Sequence, residues 1–222
     1  RLQSRYLTTG DFSALQQMNI EYPMETRTLI EDVLKIGEVN DPEINSKFLN
    51  FYQDTILQSL IADAELQYAN MSDINRQFSE AFKKLRKECP DIQTPVIYSQ
   101  IGSLDQSVII GNTAIGISLD KYLGDDYPLY ERYYTAEQRS QMTREHIVPD
   151  CMSFYLLSLY PLKNYEGSTQ YERDLHMGKI MWIVNKLLGR KVFSTKFTAE
   201  VDHYAKSNPH LKIKQLLEAD KF

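Results

Sequence analysis

The sequence predicts an α+β fold, mostly helical with a small antiparallel sheet built on a hairpin. Three observations carry that expectation. Between Ser72 and Cys89 the apolar residues Ile74, Phe78, Phe82 and Leu85 recur at helical spacing. From Val96 the period falls to two and stays there until Leu119. Beyond Val148, two mostly apolar segments ending at Tyr160 and Leu188 have the length and pattern of buried helices.

The totals set outer limits. A chain of 222 residues buries roughly 70% of its unfolded surface and folds without staples. No linker, repeat or low-complexity tract divides it, so a single domain over 1–222 is expected. The net charge is −5 with both signs interspersed, which lacks the clustered basic face of a nucleic-acid binder and a polybasic membrane patch. Two cysteines, Cys89 and Cys151, are too few for a disulfide framework, and both are expected to be free thiols. No apolar run reaches the length of a membrane span. The chain opens at Arg1 rather than Met, which reads as a truncation, so the absence of a signal or lipid-attachment segment is uninformative.

Each element follows from its local signals. Residues 1–22 are polar and weakly periodic, which predicts an extended arm or strand. Met24–Ile36 sets Leu29, Ile30, Val33 and Leu34 at helical spacing and stops at Gly37. Asp41-Pro42 reads as an N-cap with proline at N1, starting a helix that runs to about Asp63 through Phe48, Phe51, Ile56, Leu57, Leu60 and Ile61. With Ser72–Cys89, stopped by Pro90, these N-terminal helices occupy 24–89.

The sheet region is 95–120. Val96–Ile101, Ser107–Ile110 and Thr113–Leu119 read as strands, the last two joined at Gly111-Asn112. Ile115, Ile117 and Leu119 point one way, toward the core. Ala114, Gly116 and Ser118 line the other face, thin enough for a packing helix or a bound peptide to come close. Tyr127–Met142 is a tyrosine-rich loop with short helical pieces. Pro149 fits N1 of the next helix, with Asp150 in its first turn, and Pro161 ends it. Tyr171–Leu188, closed by Gly189, completes the buried helices over 148–188. Phe197–Lys206 and Ile213–Ala219 make the C-terminal helices over 197–219.

Few residues are arranged for chemistry. His146 and Asp150 stand four apart, the spacing of two ligands or an acid–base pair on one helix face. Pro149 loosens that reading, because the residue before a proline avoids helical backbone. His176 is a lone histidine on a buried helix. No Cys/His pair has zinc-ligand spacing, no glycine-rich phosphate loop follows a strand, and the common serine-nucleophile motifs are absent. Asp120, Asp125 and Asp126 surround Gly124, a set that suits either calcium or a turn with helix caps. Tyr122, Tyr127, Tyr130, Tyr133 and Tyr134 suit either a sugar- or peptide-binding groove or a cover over the core.

Several stretches together resemble one family: Ala81–Lys84, Pro95–Tyr98, Gln106–Val108, Gly116–Tyr130, Glu145–Asp150 and Gly178–Val184. They are similar to the gliding motility lipoprotein GldB family of Bacteroidetes over roughly residues 20–190, most specifically in Leu119–Tyr130. The resemblance implies a cell-envelope protein held by a lipid on a cysteine outside this chain. The family in turn is similar to zincin-type peptidases, which implies a degenerate zincin-like architecture. Where those enzymes carry His-Glu-x-x-His, the helix from Val148 carries none of it, and Met177, beside Gly178, stands where a glutamate ligand would. Zinc hydrolysis needs three protein ligands and an activated water. Against the family, a stretch is missing after Leu188, which implies a shallower groove.

The expectation is therefore a non-catalytic envelope lipoprotein that binds a protein or glycan partner. It needs no cofactor, metal or nucleic acid, and touches the membrane only through its anchor. The candidate cleft residues are Glu145, His146, Asp150, His176, Gly116 and Tyr130. One alternative is a hydrolase built on Glu145, His146, Asp150 and His176, which requires the four to converge within about 10 Å. Another is an assembly factor of a motility or secretion complex.

Overall fold

A computed structural model describes residues 12–219 apart from Ser103 and Asn112, and for Phe12 the backbone only. In chain order the elements are α1 (Phe12–Glu21), α2 (Pro23–Arg27), α3 (Ile44–Tyr52), α4 (Thr55–Gln67), α5 (Ser72–Glu88), β1 (Val96–Gln100), β2 (Val108–Ile110), β3 (Ala114–Ser118), α6 (Ala136–Arg139), α7 (Ile147–Leu159), α8 (Gln170–Leu188), α9 (Lys196–Ser207) and α10 (Ile213–Glu218). The fold is α+β and predominantly helical, as the periodicity predicts. It divides into two compact units. One holds the described residues up to Asn70, Ile97–Ile109 and Gly116–Arg144; the other holds Met71–Val96, Ile110–Ile115 and the described residues from Glu145 onward.

In the first unit, the arm expected over residues 1–22 is corrected where it is described. Residues 12–21 form α1, because Ala14, Leu15 and Met18 fall on one helical face and are buried. The expected arm over residues 1–11 lies outside the described residues. Thr26 ties α2 back to α1 by donating from Oγ1 to the Met18 carbonyl at 2.9 Å. After α2 the chain widens into a π-helix over Thr28–Val33, which buries Leu29, Ile30 and Val33. The single helix expected from Asp41 to Asp63 is two. Asp41 instead makes a turn, its Oδ1 accepting from Glu43 N at 2.8 Å, and α3 starts at Ile44. Asp54 breaks the run with extended backbone and accepts from Ile56 N at 2.7 Å, so it caps α4.

The sheet has the order β1-β3-β2. β2 and β3 are the expected antiparallel hairpin, with Gly111 N bonded to the Ala114 carbonyl at 2.8 Å and Ser118 N to Ser107 at 2.9 Å; Asn112 of its loop lies outside the described residues. β1 joins the other edge of β3 in parallel, since Val96 N meets the Thr113 carbonyl, Tyr98 lies over Gly116 and Gln100 reaches Ser118. Ile115 and Ile117 are fully buried, the core face their alternation predicts.

In the second unit the α5 stripe of Ile74, Phe78, Phe82 and Leu85 is buried as expected and α5 packs on α7 and α8. Phe82 meets Tyr155 of α7 edge-on at 5.7 Å. Cys89 and Cys151 are buried free thiols. Pro149 is the third residue of α7 rather than the first. That position still suits proline, because the first-turn amides of a helix have no intrahelical acceptor. Thr169 opens α8 with a reciprocal capping box to Glu172, and Gly189 closes it at φ 70°. Lys179 of α8, 1% exposed, donates to the Ala219 carbonyl at 2.7 Å. That places a cation at the negative end of α10.

Candidate functional site

Glu145, His146 and Asp150 gather at the start of α7, whereas His176 meets its far end from α8. Glu145 and His146 lie in the turn preceding the helix, and Asp150 is in its first turn. His176, on α8, donates from Nε2 to the carbonyl of Tyr160, the residue capping the far end of α7, at 3.0 Å. The fourteen steps from His146 to Tyr160 span roughly 20 Å at the helical rise. One end of α7 thus carries Glu145, His146 and Asp150, and the other carries His176.

Each histidine also has a local structural role. His176 is nearly buried and satisfies a helix-end carbonyl that has no intrahelical donor. Burial pushes the His146 imidazole below its usual pKa, with Glu145 opposing and the Arg190 guanidinium adding to the shift. Arg190 itself donates to the Glu145 carbonyl at 3.1 Å and to Gln77 Oε1 at 3.2 Å, which fixes the chain entering α7. Among the described residues, no three His, Cys, Asp or Glu side chains stand close enough to hold a metal ion.

Gly116 and Tyr130 belong to the other unit. A Cβ on Gly116 would sit 2.8 Å from the Tyr98 hydroxyl and 2.9 Å from its ring. The face expected to receive a helix or a peptide is therefore covered by the aromatic residue of the neighbouring strand. Tyr130 is fully buried. Its hydroxyl donates to the Asp120 carbonyl and accepts from Leu123 N at 3.0 Å, and its ring meets Tyr127 and Tyr134 edge-on at 5.1 and 5.8 Å. Tyr127 donates to Asp63 at 2.7 Å, and Tyr68 donates to the Tyr122 carbonyl. Tyr122, Tyr127, Tyr130 and Tyr134 thus brace the loop, while Tyr133 is exposed.

The residue around which this loop is organised is Asp120, which the sequence reading placed only among three turn carboxylates. It is fully buried. Oδ1 accepts from Gly102 N and Oδ2 from Leu104 N, both at 2.7 Å. Lys121 adds a bond to the Leu104 carbonyl at 3.2 Å, and Tyr134 donates to the same carbonyl at 2.8 Å. These bonds hold Leu104 at φ 64°, a left-handed conformation uncommon outside glycine. Burial raises the Asp120 pKa although both amides favour its ionised form. A carboxylate directly after the alternating core strand Ile115–Leu119 was the available signal, since a buried aspartate there must find donors. Asp125 and Asp126 lie nearby, and Arg139 donates to the Asp125 carbonyl at 3.0 Å.

A groove of about 460 Å³ opens in the second unit along the end of α8 and the start of α9. Trp182, Lys186, Arg190, Lys191, Ala199 and Asp202 are among its lining residues. Asn185 shapes its edge: its Oδ1 accepts from Val192 N at 2.8 Å and Phe193 N at 3.0 Å, and its Nδ2 donates to the Phe193 carbonyl at 2.8 Å. The Trp182 indole N–H donates to Asp202 at 3.0 Å, and the Lys186 ammonium lies 4.8 Å from the indole ring centre. Nothing in the sequence patterns marked this groove, because its residues come from a helix end and the loop that follows.

Comparison with known proteins places these features in a family. Residues 1–200 match the family described as gliding motility protein GldB. No curated protein and no solved structure matches the chain.

Proposed function

The chain belongs to the gliding motility protein GldB family, a lipoprotein family, and we propose that it is a non-catalytic lipoprotein of the cell envelope whose work is to bind a protein or glycan partner. The observation that carries this reading is the bond from His176 to the Tyr160 carbonyl. It commits that histidine to the far end of α7, roughly 20 Å along the helix from His146. General acid–base chemistry needs its groups within hydrogen-bond reach of one substrate, directly or through a single water. In this reading the peptidase-like scaffold keeps its buried helices and has lost the ligand set. Attachment to the membrane is through lipid; among the described residues no helix is long and apolar enough to cross a bilayer.

The test uses the purified chain with isolated envelope fractions and, separately, with casein in the presence of zinc. Co-sedimentation with the envelope that saturates, together with intact casein, is the expected result. Casein cleavage that disappears in both His146→Ala and His176→Ala would overturn the reading.

A further inference from the structure

Charge in this protein is strongly segregated. The chain carries −5 in total, yet between Lys186 and Lys214 there are seven Lys and Arg against two acidic residues. That segment is net +5, and the remainder is therefore −10. The groove beside α8 and α9 takes three of the seven cations, Lys186, Arg190 and Lys191, into its lining. Its carboxylate, Asp202, is paired by Lys186 of the lining at 3.9 Å and from outside it by Lys206, whose ammonium lies 2.6 Å from Oδ2, which leaves Arg190 and Lys191 to set the sign. The groove is positive.

Its other properties narrow the ligand. Trp182 and Ala199 are the only apolar side chains among its lining residues, so a peptide seeking pockets for aliphatic anchors would find none. An indole in a polar setting is instead a platform for a ring with one apolar face and hydroxyls at its rim, which it offers once the exposed Lys186 side chain, whose ammonium lies 4.8 Å from the indole centre, swings aside. Arg190 is held by its bonds to Gln77 and Glu145, so the guanidinium is already oriented. The volume, about 460 Å³, is at the small-ligand end of binding sites.

We infer that this groove binds a sugar unit carrying one anionic group, a carboxylate or a phosphate, with Trp182 under the ring and Arg190 and Lys191 on the charge. The inference rests on the binding role proposed above and supplies the chemistry of the partner. The cations are exposed, so binding weakens as salt is raised.

Trp182 is the chain's single tryptophan beside 15 tyrosines, so emission excited beyond the tyrosine absorption band reports on the groove. The full chain is titrated with glucuronate, glucose 6-phosphate, glucose, inorganic phosphate and a hexaglutamate peptide. A saturable change with glucuronate, glucose 6-phosphate or both is expected, and the stronger of the two identifies the anion. Glucose and inorganic phosphate should each bind at least about ten-fold more weakly, since each lacks one of the two contacts. Lys191→Gln should weaken the charged sugar by about five-fold, Arg190→Gln by more, and Lys83→Gln, on α5, not at all. Inorganic phosphate binding as tightly as the sugar phosphate, preference for the peptide, or no saturable change would each overturn the inference. Saturable envelope co-sedimentation in the face of such a result would leave the binding role standing and move its site elsewhere.

Discussion

Replacing Asp120 by alanine should lower stability by about 1–3 kcal/mol and release the loop between β1 and β2. The variant leaves Gly102 N and Leu104 N without the carboxylate oxygens that accept from them at 2.7 Å. A buried amide without an acceptor costs about 1–3 kcal/mol. Losing a buried negative charge offsets part of that, which is why the net figure is below the sum for two amides. Asp120→Asn keeps one acceptor but turns an NH2 donor onto the second backbone N–H, so it should also be less stable than the wild type. The pH dependence has a defined sign. Because the folded-state pKa is raised, the side chain's contribution is fully present below the unfolded value of about 3.9 and shrinks as pH rises through the folded value. The stability gap between wild type and Asp120→Ala should therefore be wider at pH 4 than at pH 7 in denaturant titrations. Hydrogen exchange should speed at Gly102 and Leu104 first.

Gly178→Ala should also destabilise, against the ordinary trend for helices. In a helix interior that change gains about 1 kcal/mol. Here the added Cβ would lie 2.4 Å from the Phe197 Cβ and 2.9 Å from its carbonyl carbon. Backbone cannot rotate away as a long side chain can, so α8 and α9 must separate. Overpacking of this kind costs about 1–3 kcal/mol and at times more, and a net loss of about 1–2 kcal/mol is expected after the helix gain. Trp182 lies one turn further along α8 and bonds Asp202 of α9 at 3.0 Å, so its emission should shift as the helices part. Thermal denaturation with fluorescence detection reads both effects.

How much could be read from the residues alone varied with the range of the interaction involved. The hairpin and the α5 stripe were legible because each is written in a local period. The break at Asp54 was not: the apolar residues on either side continue a plausible helical stripe, and only the cap bonds to Ile56 and Leu57 show where the helix restarts. Gly116 was correctly seen as a place of close approach, but the occupant is Tyr98 on a strand paired across the sheet, a choice of neighbour that no local pattern encodes. The same holds for β1, whose parallel pairing depends on β3 inserting between it and β2. Asp120 follows a strand with a buried apolar face and Lys179 lies inside an apolar run, and that signal points to burial without naming the partners. The groove at Trp182 depends on how a helix end, a loop and the next helix meet, which lies beyond sequence periodicity altogether.

Whether His146 and His176 can act together is tested most directly by imidazole nitrogen NMR on the full chain, with and without one equivalent of zinc. The expected spectrum has His176 as the tautomer protonated at Nε2, the nitrogen bonded to Tyr160, and neither histidine responds to the metal. A joint shift of His146 and His176 at one equivalent of zinc would contradict it, because a single ion would then be bridging the two ends of α7.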